Sequence, residues 1–146
     1  MMFNVAGKII LTDPVFFNAT PITKKFMYSA EFDLTLFPNI DYLVLTHNHY
    51  DHMNLKTLKV LEPKIRHIVT PLNNGHYIQK TLPNTPRIEM DWYEELTDGE
   101  LTMTCLPSRH FSGRGCCDRF KAMWAGFALN DVYVSGDGAF NETIFK

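Results

Sequence analysis

Cysteine is scarce and poorly placed for crosslinking: Cys105, Cys116 and Cys117 make an odd count with no C-x-x-C spacing, which argues against a disulfide framework and a zinc knuckle. Reduced thiols are expected. Long apolar runs are also missing. No stretch approaches the ~20 residues that a membrane-crossing helix needs, and the opening MMFNVAGKII lacks a basic segment followed by a long apolar one and a cleavage site. A cytoplasmic protein without a transmembrane segment is expected. There is no basic surplus either: the formal net charge of −2 gives no reason to expect a nucleic-acid partner. Repeats, low-complexity tracts and Gly/Ser linkers are absent. With 45% hydrophobic and 21% charged residues, the 146-residue chain is expected to form one domain, or part of one, over residues 1–146.

Apolar periodicity outlines the elements. FNV, AG and KIILTDP predict a hairpin whose second strand Pro14 closes. IDYLVLTH is a nearly continuous apolar run, as in a strand buried on both faces. Leu55, Leu58 and Leu61 then fall at helical spacing, with Pro63 as the stop. RHIVTP predicts a strand, NNG a turn, HYIQKTLP a short helix and RIEMDW another strand. In ELTMTCLP, Leu101, Met103 and Cys105 alternate as on a half-buried strand, and MWAGFAL, ND and VYVSGD predict two strands joined by a tight turn. The order implies an α/β fold with a mixed sheet.

The unusual segment is THNHYDH at residues 46–52, directly after the apolar strand. The carboxyl ends of strands in open α/β sheets are where ligands bind. His47 and His49, two apart in extended chain, project to the same side, and Asp51 and His52 follow as the chain turns toward a helix. The pattern suits two adjacent metal ions, one held by His47 and His49, the other by Asp51 and His52. Imidazole with carboxylate favours zinc and also accepts manganese or iron. Taken singly, Asp51 is explained as a helix cap and His47 as a packed strand-end residue; four such residues in six positions are not. His110, past the ELTMTCLP strand, could complete a three-histidine site, and Asp137, at the end of VYVSGD, could bridge both ions. Taken singly, the first reads as a structural or solvent-facing histidine and the second as part of an ordinary Gly-Asp-Gly turn; together with the cluster they point to metal.

These motifs resemble the metallo-β-lactamase-fold hydrolases, whose signature H-x-H-x-D-H is matched by His47, His49, Asp51 and His52. ILTDPVF, IDYLVLTHNHYDH, DWYEEL, PSRHFSGRG, DRFKAMWAGFAL and VYVSGDGAF are most similar to the branch of N-acylphosphatidylethanolamine-hydrolysing phospholipase D enzymes and their bacterial relatives. The ascorbate-phosphate lactonase group is further off. The resemblance implies an αβ/βα sandwich, here mostly its N-terminal half, with a binuclear site at one edge. By position, His47, His49 and His110 would hold the first ion and Asp51 and His52 the second, with Asp137 between them. Asp51 is also the expected catalytic residue, and Asp13 a supporting one near the site.

The expected reaction is hydrolysis of a small or lipid-like phosphodiester by a metal-bridging hydroxide, with a lactone as the alternative substrate. No Ser or Cys nucleophile is required, so Ser108, Ser112 and Cys116 are read as structural. Arg109 and Arg114 flank His110 and are weak candidates for a phosphate contact. Phe111, Trp92, Tyr93 and Trp124 are read as core before acyl pocket. The resemblance also implies a strand ahead of the LTDP hairpin and a further ligand histidine well beyond Asp137, whereas the nine residues after Asp137 contain none. A chain truncated at both ends is therefore expected, with the inner face of its sheet uncovered. A homo-oligomer or a complementing second chain would then cover that face, or the chain would be an inactive half-domain.

Overall fold

The structure is a computed structural model and describes residues 1–20 and 33–144. Strands β1 (Met2–Val5) and β2 (Lys8–Thr12) form the expected antiparallel hairpin around Ala6 and Gly7. The chain then runs through β3 (Ile40–Val44), α1 (Leu55–Leu61), β4 (Ile65–Pro71), α2 (Gly75–Ile78) and β5 (Arg87–Met90). Strands β2 to β5 pair in parallel, so the first sheet is mixed, in the order β1-β2-β3-β4-β5. A second, antiparallel sheet of order β6-β7-β8-β9 follows, from β6 (Glu95–Asp98), β7 (Leu101–Leu106), β8 (Gly126–Leu129) and β9 (Val132–Val134).

Helix α1 starts where the Asn54 side chain accepts the Thr57 N–H at 3.0 Å, satisfying one of the unpaired donors of the first turn. Its Leu58 and Leu61 are fully buried against Leu43 and Ile68 of the first sheet. Pro63 lies in a short 3-10 turn, Glu62–Lys64, that carries the chain into β4. Helix α2 is shorter than the eight residues predicted. After Ile78 the chain folds back through Thr81 and Leu82 N–H groups onto the Ile78 carbonyl, which drives Leu82 into the core.

The second sheet corrects one expectation. The inner face of the mixed sheet is not left open, because Ile10, Tyr42, Val44 and Val69 pack against Leu101, Met103, Phe127 and Leu129 of the second sheet. Fully burying each such apolar side chain stabilises the fold by about 1.5–3 kcal/mol. The ground for a covering copy or chain therefore does not apply to that face. Three layers are formed, helices on mixed sheet on antiparallel sheet, and among the described residues no helix lies on the far side of the second sheet. Among these residues no helix is long and apolar enough to cross a membrane.

Strand β6 was not legible from its pattern. ELTD has a single apolar residue, Leu96, and half its positions are exposed. The strand is held by its register with β7 and by Asp98, whose carboxylate meets Lys8 Nζ at 2.6 Å and accepts the Tyr42 hydroxyl at 2.9 Å. The missed signal is Asp98-Gly99, a tight-turn dipeptide with Gly99 at φ +64°.

Candidate metal centre

Three strand ends deliver the site. Leu45 N–H donates to the Val69 carbonyl of β4, which keeps the chain extended beyond β3 and brings Thr46 to the sheet edge. The turn after it is closed by the N–H groups of His52 and Met53, both donating to the His49 carbonyl. His110 follows β7, and an antiparallel bridge between Arg109 and Ala139 sets it beside the turn that carries Asp137 after β9. Ala125 N–H donates to the Thr46 carbonyl at 3.0 Å, tying the entry to β8 to the same edge.

The six predicted residues come together as two groups sharing one member: His47, His49, His110 and Asp137, and Asp51, His52 and Asp137. In the first group, His47 Nε2 lies 2.9 Å from His49 Nδ1 and 3.2 Å from His110 Nε2, and these last two are 3.2 Å apart. In the second, His52 Nε2 lies 3.1 Å from Asp137 Oδ1, while Asp137 Oδ2 is 3.9 Å from His110 Nε2. One carboxylate thus turns an oxygen toward each group.

The neighbours of the rings assign their protons. Thr46 Oγ1 donates to Asp13 Oδ2 at 2.6 Å, which leaves its oxygen to accept from His47 Nδ1 at 2.9 Å. His52 Nδ1 donates to the same Asp13 oxygen at 2.8 Å. His47 Nε2 therefore presents a lone pair. Three ring nitrogens face one another with only two states available to each, N–H or lone pair, so any distribution of protons leaves at least one facing pair of like groups. A cation among three lone pairs removes the conflict. The separations of 2.9–3.2 Å are also within a few tenths of the ~3.3–3.4 Å edge expected of a zinc tetrahedron with ~2.0–2.1 Å bonds. The donor set fits a divalent metal.

Electrostatics agree with that assignment. Burial, reinforced by repulsion from His52, His49 and His110, pushes the His47 pKa down to about 2. Burial first, then neighbouring histidines, also lowers His49 and His110 against the pull of nearby carboxylates. These three rings are disposed to stay neutral, the form that binds metal. At His52 burial opposes the charge, but the hydrogen bond to Asp13 and the charges of Asp13, Asp137 and Asp51 outweigh it and hold the pKa above its ordinary value.

Several residues take places the sequence did not indicate. Thr46 relays the Asp13 carboxylate to His47, and nothing in its sequence context marks it beyond its position at a strand end. Arg114 is half-buried and donates to backbone carbonyls of the histidine segment, while Arg109 is exposed and donates to the Phe140 carbonyl at 3.1 Å. Ser108 and Ser112 donate to the carbonyls of Ser135 and Ala122, consistent with structural roles. The aromatics divide: Trp92 packs against the inter-sheet core, but Tyr93 and Phe111 are exposed at the surface.

Comparison with known proteins places this geometry in context. The chain is 28% identical to an uncharacterized protein of Mycobacterium tuberculosis over 97% of its own length and 41% of that protein's. It is 27% identical to N-acyl-phosphatidylethanolamine-hydrolyzing phospholipase D 1 of Caenorhabditis elegans, over 100% of this chain and 46% of the worm protein. The chain thus spans less than half the length of these curated relatives. Among solved structures, CmlA, a diiron β-hydroxylase from Streptomyces venezuelae, superposes with a TM-score of 0.70 at 21% identity, over 99% of this chain and 29% of that one. An isothiocyanate hydrolase from Delia radicum gut bacteria gives 0.62 at 17% identity, over 97% and 60%. At such identities the likeness concerns the fold, which is that of the metallo-β-lactamases. Residues 8–146 match the family model of the β-lactamase superfamily domain, and the chain belongs to that family.

Proposed function

We propose that the chain carries the centre of a binuclear metal-dependent hydrolase acting on a lipid-like or other small phosphodiester. The observation that carries this reading is the sharing of Asp137 between the two donor groups. His47, His49 and His110 would hold one divalent ion and Asp51 and His52 the other, with zinc favoured by the imidazole-rich donors and manganese or iron also accommodated. When bound, such a pair supplies a nucleophile from water near neutral pH and stabilises charge on the attacked oxygen. The chain's part is to keep His47, His49 and His110 neutral by burial and to orient the rings: Asp13 fixes His52 directly and His47 through Thr46.

The phosphodiester preference draws on the similarity to the phospholipase D of Caenorhabditis elegans and to the mitochondrial N-acyl-phosphatidylethanolamine-hydrolyzing phospholipase D of Saccharomyces cerevisiae, 26% identical over 95% of this chain and 32% of the yeast protein. A surface groove supports the lipid-like part. It measures about 620 Å³ and is lined by Trp92, Tyr93, Leu106, Pro107, Ser108 and Tyr133, and Ser108 stands two residues before His110 in the chain. The test is hydrolysis of bis-p-nitrophenyl phosphate and of N-acylphosphatidylethanolamine in mixed micelles by the zinc- or manganese-loaded chain. Turnover abolished by chelator and by His49→Ala is the expected result. A metal-loaded chain that cleaves neither substrate would reduce the reading to a metal-binding half-domain.

A further inference from the structure

We infer that Arg114 is a positioning residue that sets the metal affinity of the centre by locking the His110 loop to the turn that carries His49, Asp51 and His52. This inference rests on the reading of the site as a metal centre. Arg114 Nη1 donates to the Asn48 and Met53 carbonyls, each at 2.8 Å, and lies 3.4 Å from the His49 carbonyl. These oxygens begin and end the ligand turn. The His49 carbonyl already receives the N–H groups of His52 and Met53, so the guanidinium draws the turn's carbonyls toward one centre. Its Cζ sits 4.0 Å from the ring centroid of Tyr50, the residue between the candidate donors His49 and Asp51.

The other side of the lock belongs to the loop after His110. Gly113 N–H donates to the fully buried Asn48 side-chain oxygen at 2.8 Å. The Asp118 carboxylate accepts from the Arg114 and Gly115 N–H groups at 2.9 and 2.7 Å, which fixes the backbone from which Arg114 reaches back. His49 and His110 are 61 residues apart in the chain, yet their facing nitrogens must hold a 3.2 Å separation. The Gly113 and Arg114 bonds are a short link between those two backbones. A guanidinium is suited to the task because its planar fork donates along fixed directions and stacks on a ring, whereas an ammonium is a point donor without that fork.

Supporting contacts of metal ligands typically govern affinity by about 10–100-fold. Zinc affinity of the full chain would be measured by competition with a chromophoric chelator, and ligand geometry by the visible spectrum of the cobalt(II)-loaded protein. Arg114→Ala is expected to lose about 10–100-fold in affinity and to weaken the cobalt bands, with added ethylguanidine restoring part of both. Arg114→Lys is expected to fall between Ala and wild type. If Arg114→Ala does not fold, Arg114→Lys, checked by circular dichroism, carries the test. Affinity and spectrum within about twofold of wild type in the folded variant would overturn the inference while leaving the metal centre standing. A wild-type chain that binds neither zinc nor cobalt would overturn both.

Discussion

Asp13 and His52, 39 positions apart in the chain, meet at 2.8 Å, and the carboxylate that holds His52 Nδ1 also receives Thr46 Oγ1, which in turn orients His47. A single side chain therefore aims one imidazole in each donor group. Asp13→Asn tests that coupling. The backbone there has φ +41°, which asparagine tolerates, so the substitution removes the charge without a conformational penalty. Metal affinity should fall by about 10–100-fold, read by chelator competition. Unchanged affinity would mean that Asp13 is structural only.

Gly136 sets the turn that presents Asp137. Its φ of +59° disfavours any L side chain, and a Cβ there would lie 3.1 Å from Thr46 Cβ and Oγ1 and 3.3 Å from the Ala125 carbonyl. Gly136→Ala should destabilise the chain by about 1–2 kcal/mol from the left-handed backbone alone. It should also displace Thr46 or Asp137 and weaken metal binding. Urea unfolding reads the first effect, and a midpoint equal to that of wild type would contradict it.

The two sheets are also tied by Tyr42 of β3, whose hydroxyl donates to Asp98 Oδ2 of β6 at 2.9 Å. Burial first, then the hydrogen bond and charge of Asp98, pushes the Tyr42 pKa up to about 12. A folded pKa raised above the ordinary value of ~10 contributes stability that is complete below pH ~10 and is lost as pH climbs through the folded value. Ultraviolet titration should therefore show a tyrosine that ionises near 12 in the wild type and is missing in Tyr42→Phe. The variant should lose about 0.5–1 kcal/mol at neutral pH, toward the low end because Asp98 is partly solvated. Identical titration curves would refute the assignment.

The histidine cluster was legible because its chemistry is local: a strand ending at a sheet edge and four ligand-type residues within six positions need no tertiary information. His110 and Asp137 were each ambiguous alone, and folding resolves them by bringing three strand ends together. Asp13 was legible as a supporting residue, but its reach to His47 through Thr46 was not, since a threonine at a strand end carries no mark of such a relay. Arg114 was misread for a related reason. A loop arginine in sequence suggests an exposed phosphate contact, whereas here backbone carbonyls 61 to 66 residues away claim it. Strands β7, β8 and β9 were legible one by one, but not their assembly into a sheet whose Leu101, Met103, Phe127 and Leu129 cover the face expected to be bare. Strand β6 was missed because ELTD is short and polar, and its pairing with β7 defines it.

Metal content per chain tests the central claim most directly. The protein would be purified without a chelating tag, supplied with zinc or manganese, desalted and analysed by elemental mass spectrometry. Two donor groups sharing Asp137 predict about two divalent ions per chain, falling to one or none in His49→Ala. No bound metal after add-back, in a chain that circular dichroism shows to be folded, would contradict the account.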